Sequence, residues 1–214
     1  VRITDKNNKI YEGKYVDSLP NGEGKYIYPS GEMLLGNFKS GMPVGICKIQ
    51  YTNGDFYQGF VANETPNGEG TYTYKNGDVH SGQWIQGIKD GAGKLTTKTN
   101  VIYEGVWLSG KPNGNITVKS GKNVYNLTYK KGIIGKSAQI QFENGDKFSG
   151  IIENGNYKSG VYTFADGMIY SGSWQNEKPV KVKVIDAHGN KVSTKNGYEY
   201  RTICGFDKQI LDIY

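Results

Sequence analysis

Tyr11-Glu12-Gly13-Lys14-Tyr15 opens a phrase that this chain writes eight times. It returns as Leu34-Leu35-Gly36-Asn37-Phe38, Tyr57-Gln58-Gly59-Phe60-Val61, His80-Ser81-Gly82-Gln83-Trp84 and Tyr103-Glu104-Gly105-Val106-Trp107. Tyr125-Asn126-Leu127-Thr128-Tyr129, Phe148-Ser149-Gly150-Ile151-Ile152 and Tyr170-Ser171-Gly172-Ser173-Trp174 complete the series. The leading residues stand at 11, 34, 57, 80, 103, 125, 148 and 170, always a step of 22 or 23. Self-similarity at such a period marks a repeat architecture, in which each unit packs mainly against its neighbours.

Between the phrases the sequence carries turn signals. The first unit continues through Asn21-Gly22-Glu23-Gly24 and Lys25-Tyr26-Ile27-Tyr28 to Pro29-Ser30-Gly31, and the third repeats it as Asn67-Gly68-Glu69-Gly70, Thr71-Tyr72-Thr73-Tyr74 and Asn76-Gly77-Asp78. Asn53-Gly54-Asp55, Asn144-Gly145-Asp146 and Asp166-Gly167 are of the same kind. Asn-Gly and Asp-Gly are expected as the central pairs of type I′ hairpin turns, where both residues need positive φ. Each unit therefore reads as two short strands joined by turns, giving an all-β array of about eight hairpins.

Successive strand residues point to opposite faces. Tyr11, Gly13 and Tyr15 share one face, and the second strands place Tyr26/Tyr28, Tyr72/Tyr74, Ile49/Tyr51, Ile140/Phe142 and Tyr162/Phe164 two apart. Thr71/Thr73 and Gln139/Gln141 fall on the opposite face. One face is aromatic and the other polar. Two large rings flanking a glycine leave a gap, which a ring from the paired strand is expected to occupy. A side chain at Gly13, Gly36, Gly59, Gly82 or Gly105 would crowd that ring.

The 17 tyrosines and 31 glycines of the 214-residue chain suit strands and turns respectively. Cys47 and Cys204 are too few for a disulfide framework. No apolar run reaches the length of a spanning helix, about 20 residues, and no secretory signal opens the sequence. An intracellular location is expected, cytoplasmic or peripheral to a membrane or the cytoskeleton. The net charge of +6 is concentrated: Lys111, Lys119, Lys122, Lys130, Lys131 and Lys136 lie in a segment, 105–142, without Asp or Glu. Such a block attracts anionic lipid or acidic protein surfaces.

The array is expected to span residues 1–190, with 1–10 the end of a preceding repeat and 191–214 a non-repeat cap. Its regularity fails in the lysine-rich centre, where Leu127 replaces the glycine and Gly114-Asn115-Ile116 replaces Gly-x-Gly. In the tail, Phe206, Ile210 and Ile213 or Tyr214 have helical spacing, with Asp207 as N-cap. A short helix covering the open edge of the last hairpin is expected, since repeat arrays need end caps.

With Tyr-Glu-Gly-x-(Tyr/Trp), Asn-Gly-x-Gly and an Asn/Asp-Gly turn at this step, the sequence resembles the MORN-repeat family over residues 1–190. The resemblance implies an elongated, single-layer, twisted antiparallel sheet with a groove along one side. It also implies a scaffold, dimerisation or partner-binding role, with an association with phospholipids.

No catalytic constellation is evident. His80 takes a leading aromatic position and Cys47 a glycine position, so both read as packing residues, and His188 lies in a turn. No enzyme activity, cofactor or metal is expected. The aromatics recur where the fold needs them, so nucleic acid is not an expected partner. The expected function is a protein-interaction scaffold that takes a partner peptide or helix, or a second copy, along its groove. Tyr15, Phe38, Trp84 and Trp107 are the candidate anchors, their rings projecting past the hairpin plane. The alternative is peripheral binding to anionic phospholipid through the six lysines.

Overall fold

The structure is a computed structural model that describes residues 1–194 and 198–211. The chain forms two compact units, residues 1–99 with 106–110 and residues 100–105 with 111–214. Unit 1 contains β1 (Arg2–Thr4), β2 (Ile10–Val16), β3 (Leu19–Ile27), β4 (Met33–Lys39), β5 (Met42–Gln50), β6 (Phe56–Ala62), β7 (Thr65–Thr73), β8 (Val79–Ile85) and β9 (Ile88–Thr96). The strand β10 (Ile102–Leu108) gives residues to both units. Unit 2 contains β11 (Lys111–Ser120), β12 (Asn123–Lys130), β13 (Ile133–Gln141), β14 (Lys147–Glu153), β15 (Asn156–Thr163), β16 (Ile169–Gln175), β17 (Lys178–Ile185) and β18 (Lys191–Val192). Within each unit consecutive strands pair antiparallel, as the hairpin reading requires. β1 pairs with β2 in the manner of a preceding repeat's second strand. Among the described residues no helix is long and apolar enough to cross a membrane.

The turns correct one expectation. Positive φ at both central residues, the type I′ signature, occurs at Asp17-Ser18, Ser40-Gly41, Asn63-Glu64, Gln86-Gly87 and Asn154-Gly155, inside each copy. At Asn53-Gly54 only the glycine has positive φ, at 93°. Gly54 N–H donates to the Tyr51 carbonyl, and Tyr51 N–H to the Asp55 carbonyl, both at 3.1 Å. This is a three-residue loop, a type I turn closed by a left-handed glycine. Asn53 stays right-handed and uses its side chain instead, Oδ1 accepting from Asp55 N–H at 2.9 Å.

The glycines bring paired strands together. Gly13 stands opposite Gly24, Gly59 opposite Gly70, Gly82 opposite Gly93 and Gly150 opposite Gly160. The ring over each pair comes from two residues earlier in the same strand, not from the paired strand as expected. A Cβ at Gly24 would lie 2.6 Å from the Tyr11 ring, one at Gly59 2.5 Å from the Tyr57 hydroxyl, and one at Gly93 2.8 Å from the His80 imidazole. Tyr11 and Tyr57 reach across the glycine and donate to the Lys14 and Phe60 carbonyls, each at 2.8 Å. A register shift follows each of these glycines in β2, β6 and β8, the added twist of a β-bulge.

His80 holds the leading position in its copy, buried between Trp84 and Trp107 at ring distances of 5.5 and 4.8 Å. Neither ring nitrogen has a hydrogen-bond partner among the described residues. Burial, with the Lys89 charge adding, pushes its pKa down to about 3.

Two substitutions probe this core. Gly59→Val should lower the stability of unit 1 by about 1–3 kcal/mol, because the new side chain meets the Tyr57 hydroxyl and the Gly70 backbone; thermal melts of variant and wild type check this. His80 is neutral in the fold but protonates near pH 6.5 once unfolded, so its contribution is complete above about pH 6.5 and is lost as pH falls toward 3. His80→Tyr, the residue of other copies, should reduce the loss of stability between pH 7 and pH 5 by about 2 kcal/mol in urea titrations.

Candidate functional site

The edge of the last hairpin is met by the short strand β18, not by the end of the tail, residues 201–211. That segment crosses the aromatic face of unit 2, running against the order of the hairpins. Arg201 N–H donates to the Tyr170 hydroxyl in β16 at 3.0 Å. Cys204 N–H donates to the Tyr162 hydroxyl at 2.9 Å, and the Cys204 carbonyl accepts from Tyr157 at 3.0 Å, both in β15. Phe206 packs edge-on against Tyr125 of β12 at 5.4 Å, and Asp207 accepts from Ser120 of β11 at 2.6 Å. Tyrosine hydroxyls thus satisfy the backbone of a segment that joins no strand.

Among the described residues the helical part of the tail is a 3₁₀ turn, η1 (Lys208–Leu211). Asp207 does cap it, Oδ1 accepting from Gln209 N–H at 3.0 Å. Phe206 and Ile210 are buried, as their spacing implied; Ile213 and Tyr214 lie outside the described residues. The segment's cation is also held: the Arg201 guanidinium sits 4.2 Å above the Phe164 ring and pairs with Asp166 at 2.7 Å.

A carboxylate beneath the tail orders this face. Asp146, in the β13–β14 turn, accepts from the Tyr162 hydroxyl at 2.7 Å and from Ala165 N–H at 2.8 Å. Burial, then the Cys204 side chain beside it, raises the Tyr162 phenol well above its ordinary range, so it remains a neutral donor and acceptor. The same device recurs in unit 1, where Asp55 accepts from Tyr72 at 2.7 Å and from Lys75 N–H at 2.8 Å. The Asn-Gly-Asp turns therefore tie each repeat to the next as well as reversing the chain.

The candidate anchor rings do not project as expected. Phe38, Trp84 and Trp107 are 2%, 4% and 1% exposed. Phe38 lies against Tyr11 and Tyr26 at 5.2 and 4.8 Å, and Trp84 against Tyr57 and Tyr72, each at 5.6 Å. In β4 and β8 a register shift at the glycine precedes this ring, which packs against the aromatics of the preceding copy. Tyr15 alone of the four is partly exposed, 6.3 Å from Tyr11.

All six lysines are exposed, but at two ends of the strands. Lys119 and Lys122 flank the β11–β12 turn, while Lys130 and Lys131 lie at the far end of β12, about 25 Å away at strand rise. Lys111 lies over Gly132 in that second turn. Lys122 pairs with Glu143 at 2.7 Å and Lys136 approaches Glu153 at 4.0 Å.

Fold and site define a protein of repeated β-hairpins with an aromatic face that holds extended chain. Six segments, residues 11–33, 35–56, 57–79, 80–100, 103–115 and 159–169, match the MORN repeat, together more than half of the sequence. The chain belongs to the MORN-repeat family. Ser120, Tyr125 and Tyr157, which the tail touches, fall in the unmatched stretch. No curated protein matches the sequence.

Among solved structures, the wild-type TCP10 domain of Danio rerio CPAP is similar with a TM-score of 0.55 and 13% identity, over 90% of this chain and 98% of that one. A mutant of the same domain gives 0.54 and 13%, over 90% and 97%. These are likenesses of fold.

Sequence reasoning missed Tyr157, Arg201 and Cys204. A signal existed for the first: Tyr157 stands where other copies have Pro20, Pro43, Pro66, Pro112 and Pro179. Tyr162→Phe removes the acceptor for Cys204 N–H, worth about 1–1.5 kcal/mol. Hydrogen exchange at the Cys204 amide should then quicken about tenfold, with amides in unit 1 unchanged.

Proposed function

We propose that this chain is a non-catalytic interaction scaffold whose aromatic face takes extended polypeptide. One observation carries the reading: residues 201–207 already lie across that face in unit 2, held by Tyr170, Tyr162, Tyr157 and Tyr125. The contacts are general in kind. Hydroxyls meet backbone groups, rings meet a phenylalanine and an arginine, and nothing requires the segment to belong to the same chain. A partner segment of similar character can take the tail's place, or a second copy can offer its own. Membership of the MORN-repeat family supports the same reading.

The test uses a synthetic peptide of residues 198–211 carrying benzoylphenylalanine in place of Phe206. It is offered to the full chain with its own tail weakened by Phe206→Ala. Photo-crosslinks mapped by mass spectrometry should fall near Tyr125 and Gly155, which line the seat of Phe206. Crosslinks scattered over the surface, or none, would overturn the reading.

A further inference from the structure

The triad beneath the tail has a counterpart in unit 1. In unit 2, ring centroids are 5.9 Å apart for Phe142–Tyr162 and 5.0 Å for Tyr162–Phe164, with the Tyr162 hydroxyl on Asp146 at 2.7 Å. In unit 1, Tyr51–Tyr72 is 5.4 Å and Tyr72–Tyr74 4.7 Å, with the Tyr72 hydroxyl on Asp55 at 2.7 Å. The two triads hold matching positions in their repeats.

They differ in cover. Phe142, Tyr162 and Phe164 are buried, whereas Tyr51, Tyr72 and Tyr74 are partly exposed, and Tyr28 extends the row. The Tyr162 hydroxyl accepts the Cys204 N–H as well as donating to Asp146; among the described residues the Tyr72 hydroxyl is bonded to Asp55 alone.

The charges around the unit 1 row favour a cation. Glu32 and Asp55 act on Tyr51, Glu64 and Glu32 on Tyr28, and Asp55 and Asp78 on Tyr74. Three lysines answer them. Lys9 sits 4.0 Å over Tyr26 and pairs with Glu64 at 2.8 Å, Lys89 lies 5.6 Å over Tyr74, and Lys75 is beside Asp55. The row's ends are thus already capped by cations. Among the described residues none lies over Tyr51 or Tyr72. In unit 2 the tail brings its cation to Phe164, the ring that matches Tyr74, where Lys89 lies in unit 1.

We propose that the Tyr51–Tyr72 trough of unit 1 is a docking site for an extended, arginine-bearing segment of a partner protein. Such a segment seats its guanidinium against the Tyr51 ring beside Glu32 and Asp55, with the same ring-and-carboxylate chemistry that holds Arg201 in unit 2, and gives a backbone N–H to the Tyr72 hydroxyl. The proposal rests on the reading of the aromatic face as a peptide seat, and it names the open seat and its occupant.

The experiment uses the full chain, whose own tail fills unit 2. The probe is a fluorescent peptide of residues 199–206 with serine for Cys204, titrated by anisotropy beside its Arg201→Glu form. Saturable binding is expected, about tenfold weaker for the Arg201→Glu peptide. It should weaken similarly for the chain carrying Tyr51→Ser, and for one carrying Glu32→Lys, a turn substitution that spares the core.

Absence of binding, or equal binding of both peptides, overturns the proposal. So does binding indifferent to Tyr51→Ser and Glu32→Lys. A probe carrying benzoylphenylalanine for Phe206 separates the two seats. Crosslinks near Tyr125 would mean exchange with the tail on unit 2, which removes the unit 1 site and leaves the aromatic-face reading intact.

Discussion

Everything in this chain depends on how closely two strands approach at a pair of glycines. Where Gly13 meets Gly24 and Gly59 meets Gly70, the absence of Cβ atoms lets the leading tyrosine lie over the pair. Its hydroxyl then reaches the carbonyl three residues on. That one placement buries the ring, satisfies its polar end and marks where the strand bulges. The ring at the fifth position then turns into the space between copies. The glycine pair recurs at Gly82 with Gly93 and Gly150 with Gly160, beneath His80 and Phe148.

The sixth copy has lost the pair. Leu127 stands opposite Ala138, so side chains occupy the space that a glycine pair leaves for the leading ring. Tyr125 of this copy meets Phe206 of the tail instead. Tyr157 likewise replaces a proline and bonds to the Cys204 carbonyl. Departures from the repeat thus add contacts to the tail beyond those of the regular Tyr162 and Tyr170. Regular positions such as Tyr170 and Tyr162 and irregular ones such as Tyr157 together supply the seat.

The tail also explains why the aromatic face is better understood as a surface than as a core. A stretch of chain with no strand partners keeps its backbone satisfied only if the face offers hydroxyls at suitable places, and Tyr170, Tyr162 and Tyr157 do so. Burial keeps those phenols protonated, so the face retains its donors and acceptors throughout the ordinary pH range. Asp146 fixes the central one from below. The arrangement is preorganised, and such a face orders an incoming segment without first rearranging itself.

By itself the sequence determined the repeat, its step, the hairpins, the aromatic and polar faces and the need for glycine. All of these are local, since a period of two along a strand and a turn every few residues are written in neighbouring positions. It identified Asp207 as a cap and Phe206 and Ile210 as buried, again from short spacings. It misplaced the type I′ turns, because Asn-Gly serves two loop types and the side chain of Asn53 decides between them. It also took Phe38, Trp84 and Trp107 as projecting rings, because alternation gives the face of a side chain but not the bulge that turns it inward. Only the tertiary structure decided where the tail lies. Its contacts join Arg201 to Asp166 and Asp207 to Ser120, 35 and 87 residues apart, and no periodicity in the chain connects positions so distant.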